Sequence, residues 1–266
     1  RFAKFQGANL KNACIENADL KGSDLSGANL EGATLVQSNL DGTILNAVDL
    51  RDSNLEAATL KALDLTKADL LGCNLQKVSL IQVNLSGMKL ESFNMQGVII
   101  SECNLDNVSF QDSDLQAASL RALDLTKADL SGCKLQKISL IQENLSGMKL
   151  ENFNMQGVIV SECNLDNVSF QNIVLDGSDL SGSNLSGLRL ENLNLRNVMM
   201  RECNLDKVSL KNSVLVVGSY MSKSKLFKAN LSNSSFENGL LAEAVFEDCT
   251  LSGAVLKNTV LDGSDL

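Results

Sequence analysis

The chain has no histidine, no proline and no tryptophan, and its 266 residues include one tyrosine, Tyr220. Without histidine there can be no Ser-His or Cys-His nucleophile pair, no imidazole metal ligand and no ordinary physiological general base. The absence of proline suits a backbone whose N–H groups are all wanted in hydrogen-bonded ladders. Apolar runs are short, as in "VII" and "VVG", so no membrane segment is read, and no signal-peptide pattern opens the chain. Seven cysteines are present but no C-x-x-C spacing, which leaves zinc without its usual ligand pairs. The chain begins at Arg1 and both ends stop within a repeat, so it reads as part of a longer protein.

What is present is a period of five. From Phe5 to Tyr220 every residue whose number divides by five is Leu, Ile, Met, Val, Phe or Tyr, which makes 44 positions without a miss. After a slip of one residue the series resumes at Leu226 and runs through nine positions to Leu266. Five matches neither the 3.6-residue helix nor the two-residue strand, so the repeat itself is the structural unit. Such a chain buries apolar side chains only against neighbouring repeats, giving a long thin core. Two long duplications support this. "ALDLTKADL" occurs at 62–70 and 122–130, and "SECNLDNVSFQ" at 101–111 and 161–171, an offset of 60 in each case. A weaker copy relates 145–170 to 185–210 at an offset of 40, and both offsets are multiples of 20.

The stretch "GANLKNACIENADLKGSDLSGANLEGATL" resembles the pentapeptide-repeat family in six consecutive units, with Cys14 in an unusual slot. That resemblance covers essentially the whole chain. It implies an all-β, right-handed quadrilateral parallel β-helix with four pentapeptides per coil. The central Leu or Phe and the residue two before it then point inward, and the other three face solvent. Residues 1–266 are accordingly expected to form a single solenoid of about 13 coils, roughly 60–65 Å long at the usual ladder spacing. Its open ends invite end-to-end association.

Six cysteines, Cys73, Cys103, Cys133, Cys163, Cys203 and Cys249, fall in the small inward slot. The same-column neighbours Cys163 and Cys203 are two coils, about 9–10 Å, apart, beyond the roughly 7 Å Cα separation of a disulfide. Free inward thiols imply a reducing compartment and a cytoplasmic location. Glu143 is an anomalous inward acid, standing in "IQENL" where the earlier copy "IQVNL" has Val83.

The net charge is −9, yet residues 181–240 sum to +4 while the other stretches are acidic. A mostly acidic surface argues against direct nucleic-acid binding. Ser and Lys lie in outward slots with no phosphate-binding loop, and neighbouring carboxylates on a repeat surface serve solvation. The chain is read as non-catalytic, with no cofactor and no metal site. Six apolar residues break the outward polar pattern on one face, Ile81, Ile99, Ile141, Ile159, Met199 and Met221, and form a candidate partner-contact surface. The phase slip within 216–225, in "VVGSYMSKSK", is read as a tolerated insertion. The expected function is a structural or protein-interaction scaffold that docks protein partners on that face. The alternative, which the family resemblance suggests, is an acidic DNA-mimic rod binding a type II topoisomerase.

Overall fold

The computed structural model describes residues 2–215 and 219–265. The chain divides into two compact units, Arg1–Lys134 and Leu135–Leu266. Each is an all-β parallel solenoid.

In the first unit, four three-residue strands line up in parallel: β1 (Thr59–Lys61), β2 (Ser79–Ile81), β3 (Ile99–Ser101) and β4 (Ser119–Arg121). Leu60 pairs with Leu80, Leu80 with Ile100, and Ile100 with Leu120, so each centre meets the one four repeats further on. A short 3-10 segment follows at Leu125–Lys127, capped by Asp124, whose side chain accepts from the Thr126 N–H. The second unit opens with β5 (Ser139–Ile141) and β6 (Ile159–Ser161), paired in parallel in the same register. Elsewhere single bridges carry that register too, such as Lys4 to Asp24 and Asn184 to Asn204. One coil therefore consists of four pentapeptides.

Each unit of five has the same internal logic. The N–H of the small inward residue donates back to the carbonyl of the central residue three positions before it, as from Ala28 to Leu25 at 2.9 Å. That closes a β-turn whose third residue lies at positive φ, for example Asn107 at 58° and Gly72 at 75°. Glycine and asparagine tolerate this region best, and none of the non-glycine residues found there is β-branched. The Asp or Asn before the centre completes the turn, because its side chain accepts the backbone N–H two residues on. Asn29 accepts from Glu31 at 2.9 Å and Asp64 from Thr66 at 2.8 Å. The Asp/Asn-Leu pattern thus encodes a turn as well as a core residue.

From Leu20 to Leu215 every central residue is buried. Burying each Leu contributes roughly 1.5–3 kcal/mol by area. Small residues fill the second inward slot, and serines such as Ser23, Ser113 and Ser213 are among them, which corrects the expectation that Ser lies in outward slots. There, hydroxyls and thiols reach the carbonyl of the central residue one coil earlier, as from Ser213 to Leu190 at 2.5 Å and from Cys203 to Leu180 at 3.1 Å. Phe5, Leu10, Ile15, Leu251, Leu256 and Leu261 are only half-buried, because among the described residues their coils have a neighbour on one side. Leu266 lies outside the described residues.

The phase change lies within 216–225 as expected, but before Tyr220 rather than after it as counting in fives implies. Bridged partners differ by 20 in number up to Asn194–Val214. They differ by 21 at Met199–Tyr220, Asn204–Lys225, Ser209–Asn230 and Val214–Ser235, then by 20 again at Tyr220–Leu240. The extra residue therefore enters between Leu215 and Ser219, and residues 216–218 lie outside the described ones. Met221 is consequently a core residue, 1% exposed, and the expectation that it faces a partner is corrected. Tyr220 takes the outward position in its place. The physical reason is size and polarity, since a narrow solenoid interior accepts the Met chain, whereas Tyr would bury a hydroxyl there.

Candidate partner-docking face

Of the remaining apolar candidates, Ile99 and Ile159 are the most open, at 43% and 47% exposure. Ile81, Ile141 and Met199 are half-buried. Their surroundings differ between the units. In the first, Ile99 lies between Ser79 and Ser119, and Ile81 between Lys61 and Ser101, so each is an isolated apolar side chain. In the second, Ile141 borders Ser161, and Ile159 lies between Ser139 and Asp179. From Met199 onward the column becomes continuous. Met199 pairs with Tyr220, Tyr220 with Leu240 and Leu240 with Val260, the last 41% exposed. Sequence reasoning misses Tyr220, Leu240 and Val260 because it places the slip after Tyr220. Their signal is the series Met221, Leu226, Leu231, Phe236, Leu241, which puts Tyr220 and Leu240 each one residue before a centre, as Val260 is before Leu261.

The column carries charge on its flanks. The Arg201 guanidinium sits over the Tyr220 ring, 4.7 Å from its centroid, and so stiffens the aromatic side chain. Lys228 stacks on Phe227 at 4.5 Å on the neighbouring side of the same unit. Among the cations of this unit, Arg189 pairs with Glu191 at 3.1 Å. A cleft of about 580 Å³ lies beside them, lined by residues that include Phe170, Asn172, Arg189 and Glu191. The Glu191 carboxyl also accepts from Ser209 at 2.6 Å, and these bonds, Ser209 first, hold its pKa below the ordinary value.

Many acids of the first unit are held by local bonds. Arg51 grips Asp49 with two bonds at 2.8 and 2.6 Å and approaches Asp69 at 3.7 Å and Glu31 at 3.9 Å. The Asp49 carboxyl is drawn down to about 2, chiefly by the Arg51 side-chain bond. Asp24, Asp64 and Asp129 are likewise lowered, first by the hydroxyl two residues on, at Ser26, Thr66 and Ser131.

The inward thiols are shielded. Burial pushes Cys73 and Cys203 up to about 11 and Cys133 to about 12. All seven cysteines are free thiols, and Cys14 alone is exposed. Glu143 is 1% exposed, and its backbone N–H lies 3.4 Å from the Cys163 sulfur. Among the described residues there is no cluster of three or more potential metal ligands, and no helix is long and apolar enough to cross a membrane.

Family models match most of the chain. The model described as a pentapeptide repeat region matches residues 73–150 and 123–200, and that described as pentapeptide repeats (8 copies) matches 1–22, 23–61 and 229–266. No curated protein matches the chain in sequence. Among solved structures it is similar to HetL, a pentapeptide repeat protein involved in heterocyst differentiation regulation from the cyanobacterium Nostoc sp. strain PCC 7120. Identity there is 22% over 98% of this chain and 89% of that one, with a TM-score of 0.25. Full-length QnrB1, a plasmid-mediated fluoroquinolone resistance protein, is 13% identical over 95% of this chain and 93% of its own, with a TM-score of 0.23. Rfr23 from the cyanobacterium Cyanothece 51142 is 24% identical over 50% of this chain and 84% of its own, with a TM-score of 0.23.

Proposed function

The chain belongs to the pentapeptide-repeat family, and from that premise we propose that it is a non-catalytic scaffold docking a protein partner on one outward face of its second unit. The observation that carries this reading is the unbroken apolar column Met199, Tyr220, Leu240 and Val260. Outward slots elsewhere are mostly polar, and a contiguous apolar row costs solubility unless a partner covers it. Successive coils hold the column on hydrogen-bonded backbone, so burying it requires little ordering. Ile159 extends the same face below Asp179. Ile81, Ile99 and Ile141 are peripheral in this reading. The proposal extends to location: unbridged thiols in the core suit a reducing compartment such as the cytoplasm.

The alternative is an acidic rod that mimics DNA on a type II topoisomerase. Its support is the net charge of −9. Against it, Asp49, Asp64 and their kind commit their carboxylates to internal turns, and cations interrupt the acidic surface at Lys89, Lys149 and Arg189.

A photo-crosslinking residue placed at Leu240 in the full chain tests the reading. A discrete protein adduct should form in cells and disappear when Met199 is changed to Lys. No adduct from Leu240, together with topoisomerase binding that collapses between low and moderate salt, would establish the alternative.

A further inference from the structure

We propose that the column Met199–Tyr220–Leu240–Val260 receives one amphipathic α-helix of a partner protein, with its acidic half over Met199 and Tyr220 and its basic half over Leu240 and Val260. This rests on the docking reading above and names what docks.

The backbone excludes a partner strand. Tyr220 donates to the Val198 carbonyl at 3.3 Å and its carbonyl accepts from Met200 at 2.7 Å. Leu240 donates to Ser219 at 3.2 Å and accepts from Met221 at 2.9 Å, and Val260 donates to Gly239 at 3.0 Å and accepts from Leu241 at 2.9 Å. Met199 is paired the same way, to Ser178 and Leu180. With every main-chain group in the column taken, an added strand has nothing to pair with, and recognition falls to side chains.

The small size of the apolar face suits a short element better than a second copy. Three ladder spacings of about 4.8 Å make the column roughly 14 Å long, and three residues between corners make it about 10 Å wide. That is about 150 Å², far below the roughly 800 Å² per partner of a stable complex. A helix fits the same strip. It is about 10 Å across and places an apolar side chain on one face every turn of about 5.4 Å, so three turns stay within about 2 Å of the column's four rungs.

Charge sets the direction. Flanking Met199 and Tyr220 are Arg196, Arg201 and Lys223, against two acids, Glu202 and the Asp179 that is bridged to Met199. Flanking Leu240 and Val260 are Glu237, Glu243 and Asp262, with Lys257 the one cation, itself paired to Glu237 at 2.8 Å. The column thus runs from a basic end to an acidic end, and a bound helix is favoured when its own charges run the other way.

The probe is a stapled 14-residue helical peptide with Leu at i, i+4, i+7 and i+11, three Glu in one half and three Lys in the other. Its control has the same composition with the charges mixed in both halves. The full chain should bind the probe at least fivefold more tightly than the control at low salt, and the difference should vanish at high salt. Leu240→Lys should weaken probe binding at least tenfold, while Ile99→Lys should leave it unchanged, and both variants should keep the parent thermal midpoint. Equal affinity for probe and control overturns the charge assignment, and probe binding that survives Leu240→Lys overturns the site. A concentration-dependent dimer in sedimentation that Leu240→Lys abolishes would make a second copy the occupant instead. Failure of the probe while adducts from Leu240 persist removes the helix and leaves the docking face standing. Absence of adducts removes both.

Discussion

The two units solve the same corner differently. In the first, the turn residues one coil apart are Asn12, Gly32, Asp52, Gly72, Ser92, Asp112 and Gly132. Each of the three glycines leaves room for the polar side chain beneath it. A Cβ on Gly72 would lie 2.2 Å from the Asp52 Oδ1, and one on Gly132 would meet Asp112 even more closely. In the second, the same corner reads Asn152, Asn172, Asn192, Asn212 and Asn233, where amides stack instead, and then Gly253, on which a Cβ would lie 2.3 Å from the Asn233 Oδ1. Asn172 donates to Asn152 at 3.2 Å, Asn212 to Asn192 at 3.0 Å and Asn233 to Asn212 at 3.4 Å. Both devices meet one backbone demand, a left-handed turn residue. The first unit meets it mostly by alternating glycine with a polar residue, and the second by an asparagine ladder up to Asn233 that Gly253 then closes. The outward apolar residues part in a similar way, isolated in the first unit and at Ile141 and Ile159, and contiguous only from Met199 onward. A shared core periodicity therefore leaves each outward column free to specialise.

Central residues give the largest effect and should not distinguish the units. Leu65→Ala and Leu205→Ala each remove a fully buried side chain, 2% and 0% exposed, and should cost about 2–5 kcal/mol in urea unfolding. A cost confined to one unit would break the idea of a common core.

Next comes the corner itself. Gly72→Ala must place a side chain at a φ of 75° against Asp52 and should cost about 1–2 kcal/mol. Asn192→Gly keeps the permitted φ and loses one amide rung, so its cost should stay below about 1 kcal/mol. Equal losses at the two positions would contradict the alternation-versus-ladder account.

Acid should separate the units more gently. Asp24, Asp49, Asp64, Asp114 and Asp129 of the first unit are held below their ordinary value, against Glu191 in the second. A carboxyl whose pKa falls on folding contributes stability that is present above its unfolded value of 3.8 and is lost as pH drops toward its folded value, about 2 for Asp49. Hydrogen exchange, corrected for intrinsic rates, should show protection falling more in residues 2–134 than in 135–265 between pH 4 and pH 2. Uniform loss would remove that contrast. These groups are largely exposed, so the effect is modest.

How much of this is legible in the sequence varies with how firmly each slot is constrained. The inward centres are plain because nothing but a large apolar residue suits them, and residues such as Leu75 and Leu130 are buried as the period of five requires. The same periodicity places the six inward cysteines. It does not show their bonds to carbonyls, such as Cys73 to Leu50 at 2.7 Å, which mimic those of serine. Counting misplaces the slip because Tyr220 extends the series from Leu215 just as well as Met221 leads into Leu226, and a period cannot choose between two apolar neighbours. Ser219, two before Met221 and only 3% exposed, is the deciding small residue. The left-handed turn slot shows as an excess of Gly and Asn, but its stacking does not, since that depends on which side chain lies one coil away.

On the surface the smallest stability change carries the largest functional meaning. Leu240→Lys should alter stability by less than about 0.5 kcal/mol, because the side chain lies outside the core. A larger loss would mean that the column is structural.

The most direct measurement compares the two units in one assay, the adduct formed in cells by a photo-crosslinker at Val260. The pair Ile81→Ser and Ile99→Ser alters the isolated residues of the first unit, and the pair Tyr220→Ser and Leu240→Ser interrupts the column of the second. The adduct should persist with the first pair and disappear with the second. An adduct that survives the second pair, or is lost with the first, would contradict docking on the column.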